Sequence, residues 1–125
     1  MLHHVSLGTA DLDRARGFYD PVMTALGLSR TLDVEDAVGY GAGITAFSLN
    51  LPADGAPASP GNGVHVAFEV ERRAAVDAFH RATLGSGGTD DGAPGLRPHY
   101  DLHYYGAFVR DPDGNKIEAL TFAAN

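Results

Sequence analysis

His4-Val5-Ser6-Leu7 returns as His65-Val66-Ala67-Phe68, and this recurrence decides the architecture. The offset that carries position 4 onto position 65 also places Ala15 on Val76, Phe18 on Phe79, Met23 on Leu84 and Gly27 on Gly88. Self-similarity at a fixed offset marks a duplicated structural unit. Each copy reads as a strand opened by histidine, an amphipathic helix, and a glycine where the chain turns.

In the first copy, residues 3–8 read as a strand and Asp11 as a helix N-cap. Leu12, Ala15, Phe18 or Tyr19, Val22 and Leu26 follow at helical spacing. Pro21 has no amide to donate, which predicts a kink or break near Tyr19 and Asp20. Gly27 ends the helix, and strands are expected at 30–34, 38–41 and 44–50. Residues 52–63 (PADGAPASPGNG) are too rich in breakers for a core element and read as a linker. In the second copy a strand over 64–70 precedes a helix over about 72–84, with Val76, Phe79 and Thr83 on one face. Residues 86–97 are Gly-rich loop with room for a short strand. Strands at 104–110 and 117–122 are joined by Asp111-Pro112-Asp113-Gly114, whose residue types suit a tight turn. The chain is therefore expected to be one α+β domain of two βαβββ modules: module one about 1–51, the linker 52–63, module two 64–125. Each module has a sheet face it cannot bury alone, so the two are expected to pair.

Composition narrows the function. The 125 residues include 44% hydrophobic and 20% charged residues, ordinary values for a folded domain. Nine Lys and Arg against 16 Asp and Glu give a net charge of −7, which argues against nucleic acid or an anionic membrane as partner. The absence of cysteine excludes disulfides, thiolate metal sites and Cys nucleophiles. No apolar run approaches the roughly 20 residues of a membrane span, and no signal-like segment follows Met1, so a cytoplasmic location is expected. The Gly-rich stretches lack the Lys-Ser/Thr ending of a phosphate-binding loop.

Alternation puts His65, Ala67 and Glu69 on one face of their strand, and the repeat makes His4 the counterpart of His65. If a two-fold axis relates the copies, the two imidazoles approach one another across a shared cavity. Glu118 interrupts an apolar strand (KIEALTF), where a carboxylate needs a partner. Two imidazoles and a carboxylate are good ligands for a divalent metal and leave positions open for water or substrate. The competing reading is a pair of hydrogen-bonded core histidines with Glu118 in an ion pair, for instance with Arg97.

Three stretches carry a family resemblance: HHVSLGTADLDRARGFYDPVMTALGL at 3–28, GVHVAFEV at 63–70 and FVRDPDGNKIEAL at 108–120. In these the chain resembles the vicinal oxygen chelate superfamily, which includes glyoxalase I, fosfomycin-resistance enzymes, methylmalonyl-CoA epimerase, extradiol dioxygenases and bleomycin-resistance proteins. The resemblance implies a cupped, barrel-like mixed sheet with helices outside, a metal site within it, and a homodimer. It maps the metal ligands onto His4, His65 and Glu118, and implies a divalent ion: Fe, Mn, Zn or Ni. Glyoxalase I and the epimerase take a further Glu or Gln from the fourth strand, where this chain has Phe47 or Ser48. The three-ligand set is thus more similar to fosfomycin-resistance enzymes and dioxygenases. The chain has no Lys-rich potassium-binding loop of the former and is short for the latter, so the subclass stays open.

The segment Arg97-Pro98-His99-Tyr100-Asp101-Leu102-His103-Tyr104-Tyr105 lies where family members often place a substrate-facing loop. Arg97 is suited to hold a substrate carboxylate or phosphate, and Tyr105 or His99 to move a proton beside a metal. An ordinary loop whose tyrosines cover the sheet edge or fill a dimer interface accounts for the same residues. Glu69 is either a partner of His65 or simply at the strand end, while His3 is expected outward and His80 on the surface. Two functions from different classes follow. One is a metal-dependent enzyme acting on a small molecule with two neighbouring oxygens, by lyase or isomerase, thiol-transfer or dioxygenase chemistry. The other is a metal-free binding protein of the bleomycin-resistance type that sequesters a small cationic ligand.

Overall fold

Module one is built from β1 (Val5–Gly8), α1 (Leu12–Ala25), β2 (Ser29–Val34), β3 (Ala37–Ala42) and β4 (Ile44–Asn50). Module two contains β5 (His65–Glu69), α2 (Arg73–Gly85), β6 (Thr89–Asp90), β7 (Gly95–Leu96), β8 (Tyr105–Arg110) and β9 (Lys116–Thr121). These bounds come from a computed structural model that describes residues 1–125. Two mixed sheets result, ordered β1-β4-β3-β2 and β5-β9-β8-β6, with β7 also on β8. The opening strand of each module runs parallel to its closing strand, β1 to β4 and β5 to β9, and all other pairs are antiparallel. The α+β class and the duplicated topology are those the repeat predicts. The second strand of module two is split into the two-residue pieces β6 and β7, within the Gly-rich stretch expected to be loop with room for a short strand.

The helices show where the repeat register holds and where it slips. Asp11 caps α1, accepting from the Arg14 amide at 3.0 Å. At its C-terminus the amides of Gly27 and Leu28 return to the carbonyls of Thr24 and Met23, at 3.0 and 2.9 Å. This closure needs a left-handed residue, and Gly27 supplies φ +80°. In α2 the residue that supplies it is Gly87, at φ +99°, while Gly88 bonds back to Thr83 at 3.0 Å. Gly87, not Gly88, is therefore the counterpart of Gly27, because α2 is one residue shorter than α1: 13 against 14. Pro21 does not break α1, which runs from Leu12 to Ala25. Pro21 and Gly17, whose carbonyl loses its amide partner, are both exposed, so that carbonyl is open to solvent and the helix tolerates the missing bond.

Phe18, Tyr19 and Val22 of α1 and Val76 and Phe79 of α2 are buried in one cluster with Tyr40 and Phe47 from the first sheet and Val109 and Ile117 from the second. The modules meet through α1 and α2, which pack against each other, and not along β1 and β5. Each sheet thus has a helix-covered face and an open one. The last hairpin also ties the modules together. Asp111 and Gly114 close its turn (2.9 Å), while Thr9, Ala10 and Arg14 of module one all donate to Asp113.

Candidate metal and substrate site

Register defines the open face of the second sheet. Opposite β9, Ala67 of β5 pairs with Glu118 and His65 with Lys116; on the other side Phe108 of β8 pairs with Glu118 and Arg110 with Lys116. His65, Ala67 and Glu69 are exposed, as residues on an uncovered face must be. Glu118 is the exception, only 2% exposed. His65 Nε2 lies 3.3 Å from its Oε1, and the Tyr104 hydroxyl donates to its Oε2. Burial and then the Glu118 carboxylate push the Tyr104 phenol above its ordinary value of 10.0, so it remains a donor at neutral pH. Gly106 keeps this contact open, since a Cβ there would stand 3.2 Å from both Glu118 Oε2 and the Tyr104 ring.

Of the metal ligands expected from sequence, the structure brings His65 and Glu118 together and leaves His4 elsewhere. His4 falls one residue before β1, on the module-one sheet, with Nδ1 2.9 Å from His3 Nδ1. The approach of the two imidazoles expected from the repeat does not occur within one chain, because the modules associate through their helices. No three His, Asp or Glu side chains of the chain gather around one point. An exposed imidazole nitrogen facing a buried carboxylate oxygen is nevertheless a donor pair of the kind a divalent ion accepts. The residues fit part of a metal site.

Of the fourth-strand positions, Phe47 is buried against Tyr19 and Phe68, while Ser48 pairs with Ser6 on the other face. The Ser48 hydroxyl bonds Ser6 Oγ at 2.8 Å and donates to Asn50 Oδ1 at 2.7 Å. A serine thus stands on the open face of module one, on the side of the sheet that the parity of His4 selects.

Tyr105 is on the opposite face of β8 from Glu118. Its hydroxyl donates to Asp77 of α2 at 2.6 Å, and the Arg73 guanidinium lies 5.0 Å from its ring centroid. Arg97 donates to the carbonyls of Ala93 and Gly95 at 2.8 and 2.9 Å and reaches over Phe108. His99 is exposed and stacks on Tyr100, which packs edge-on against Tyr104. Tyr104 is the functional candidate that sequence reading passes over. A signal for it exists: a tight Asp111–Gly114 turn pairs even-numbered residues of β8 with even-numbered residues of β9, which gives Tyr104 the parity of Glu118.

Two βαβββ modules, each with one open sheet face, define a fold class, and comparison with known proteins gives its family. A family model described as Glyoxalase/Bleomycin resistance protein/Dioxygenase superfamily matches residues 1–119. The chain belongs to that superfamily. A glyoxalase/bleomycin resistance protein from Albidiferax ferrireducens T118 is 36% identical, with 94% of this chain and 96% of that one covered and a TM-score of 0.88. A family enzyme from Burkholderia phytofirmans PsJN shares the fold at 22% identity, TM-score 0.75 and 98% coverage of both chains. So does a lactoylglutathione lyase from Agrobacterium tumefaciens, at 24% identity, TM-score 0.69, and 97% and 92% coverage. No protein of curated function matches the chain significantly. No helix is long and apolar enough to cross a membrane.

Proposed function

We propose that the protein is a divalent-metal-dependent enzyme acting on a small molecule with two neighbouring oxygens, its metal held by His65 and Glu118 of one chain and His4 of a second copy. The observation that carries this reading is Glu118: a buried carboxylate on an otherwise open sheet face, one oxygen held by Tyr104 and the other turned to His65. A carboxylate withdrawn from water is costly unless it is used, and metal coordination uses it. The third ligand comes from a partner because the helix-mediated packing of the modules keeps His4 away within the chain. A homodimer that pairs module one of one copy with module two of the other joins the two open faces.

A bound divalent ion polarises substrate oxygens and stabilises negative charge as it develops on them. The chain supplies the rest. Tyr104 fixes the orientation of Glu118, whereas the proton-moving role expected of Tyr105 finds no support in its bond to Asp77 on the other face. Arg97, fixed by two carbonyls, and His99, stacked at the rim, line the approach and handle the substrate and its proton.

A metal-free sequestering protein is the second reading, favoured by the two-donor site within one chain. The net charge of −7 suits a cationic ligand for it, whereas Lys116 and Arg110 stand side by side on this face. The test is metal content by elemental mass spectrometry after anaerobic reconstitution with Fe(II), Mn, Zn and Ni. About one metal per chain, lost in Glu118→Ala and His65→Ala, supports the enzyme. No uptake by the unmutated protein overturns it in favour of sequestration.

A further inference from the structure

On the open face of the second sheet, His65, Lys116 and Arg110 form one row across β5, β9 and β8. Lys116 is the only lysine in the chain. Like charges directly opposite on neighbouring strands repel, so pairing Lys116 with Arg110 is unfavourable for the sheet itself. One carboxylate offsets the two cations: Asp91 Oδ2 is 3.0 Å from Arg110 Nε and 3.7 Å from Lys116 Nζ. The second distance is beyond a hydrogen bond, which leaves the ammonium donors free. Lys116 is held in place by the Phe108 ring, with Nζ 5.2 Å from its centroid. A recess of ≈ 440 Å³ opens here, walled by residues 60–64 and floored by His65, Arg110 and Lys116. Asp91 balances one of the two cations and Arg110 Nη1 is taken by the Gly114 carbonyl at 3.0 Å, which leaves one net positive charge on this row, in a chain of net charge −7, with the Lys116 ammonium as its free donor.

We propose that this recess binds an oxyanion carried by the substrate, a carboxylate or phosphoryl group, through Lys116, with the Arg110 guanidinium adding positive charge beside it. The inference rests on the reading of His65 and Glu118 as the reacting end of the site. Lys116 and Glu118 are two residues apart on one strand face, roughly 7 Å along the sheet. The substrate is therefore a small acid whose oxyanion lies a few bonds from its two metal-facing oxygens. Phe108, opposite Glu118 and beneath Lys116, provides apolar contact for the carbon chain between them.

The test uses the whole protein stripped of metal, so that anion binding is read independently of coordination. Inorganic phosphate, phenylphosphonate and benzoate are titrated while backbone amide shifts are followed by NMR, with benzylamine as the cationic comparison. Saturable shifts confined to residues 60–65 and 110–116 are expected with at least one oxyanion and not with benzylamine. The probe that binds most tightly distinguishes a phosphoryl from a carboxylate substrate. Lys116→Gln is expected to weaken that binding about tenfold or more, Lys116→Arg to retain it, and Arg81→Gln on the exposed side of α2 to leave it unchanged. Shifts with no oxyanion, or equal affinity in Lys116→Gln, overturn the proposal. Metal uptake without anion binding removes this inference alone. Anion binding without metal uptake removes the metal reading and leaves the recess assigned.

Discussion

The Tyr19 hydroxyl, in the helix of module one, donates at 2.6 Å to Asp111 Oδ2, at the end of β8 in module two. Both residues are buried, and Asp111 also accepts from the backbone amides of Asp113 and Asn115 and from the Asn115 side chain. The turn that sequence reading treats as a local hairpin connection is also the clasp between modules. It holds the helix-covered faces together and leaves the other two faces open.

Removing the clasp leaves buried donors without acceptors. Asp111→Ala is expected to lose about 2–4 kcal/mol and Tyr19→Phe about 1–2 kcal/mol in urea unfolding. An Asp111→Ala variant as stable as the parent would show that the inter-module contact contributes nothing.

The same residue predicts a pH effect of definite sign. Burial raises the Asp111 carboxyl above its ordinary 3.8, although hydrogen bonds from Tyr19 and Asn115 pull it down. A raised carboxyl means that the folded state binds this proton more tightly than the unfolded chain does. Its contribution is full below 3.8 and is lost as pH rises through the folded-state pKa. Asp111→Asn has no such proton. The stability of the parent relative to Asp111→Asn should therefore increase as pH falls through the carboxylate range towards 3.8. Urea midpoints of the two proteins measure it, and a relative stability that declines towards acid would have the wrong sign.

Two glycines of α1 and its cap should respond to alanine in opposite directions. Gly17 is exposed in the helix interior with nothing within 4 Å of an added Cβ, so Gly17→Ala should stabilise by about 0.5–1 kcal/mol. Gly27 sits at φ +80°, where Gly27→Ala should cost about 1 kcal/mol or more. Thermal melts of the two variants shifting the same way would contradict the helix ending described for Leu26–Leu28.

Sequence reaches the duplicated topology because that information is local: strand periodicity, a helix cap at Asp11 and the Asp-Pro-Asp-Gly turn. It also singles out Glu118, since a carboxylate among the apolar residues of KIEALTF has to be paired or coordinated. It does not reach the packing of the modules. Whether β1 lies beside β5, or α1 beside α2, is settled by tertiary contacts such as Phe18 and Phe79 in a shared cluster, which helical periodicity alone does not assign to a partner. The separation of His4 from His65 follows from that choice. The roles of Tyr104 and Tyr105 depend on strand parity, which a one-residue shift reverses.

On the proposed metal reading, Tyr104 holds Glu118 without coordinating the ion. Tyr104→Phe should keep the fold by circular dichroism and weaken metal binding about 10–100-fold in a chelator competition. Affinity equal to the parent would mean that Glu118 is oriented by the strand alone.

Complementation between two variants reads whether the metal site is shared by two copies of the chain. His4→Ala and Glu118→Ala are each expected to bind no metal. Co-refolded in equal amounts, they form mixed dimers with one intact site and one doubly defective site, and about a quarter of the parental metal content should return. Metal regained in the mixture and absent from each variant alone is the result expected. A mixture as empty as its components, with the unmutated protein loaded, would show that His4 and Glu118 do not meet across a dimer.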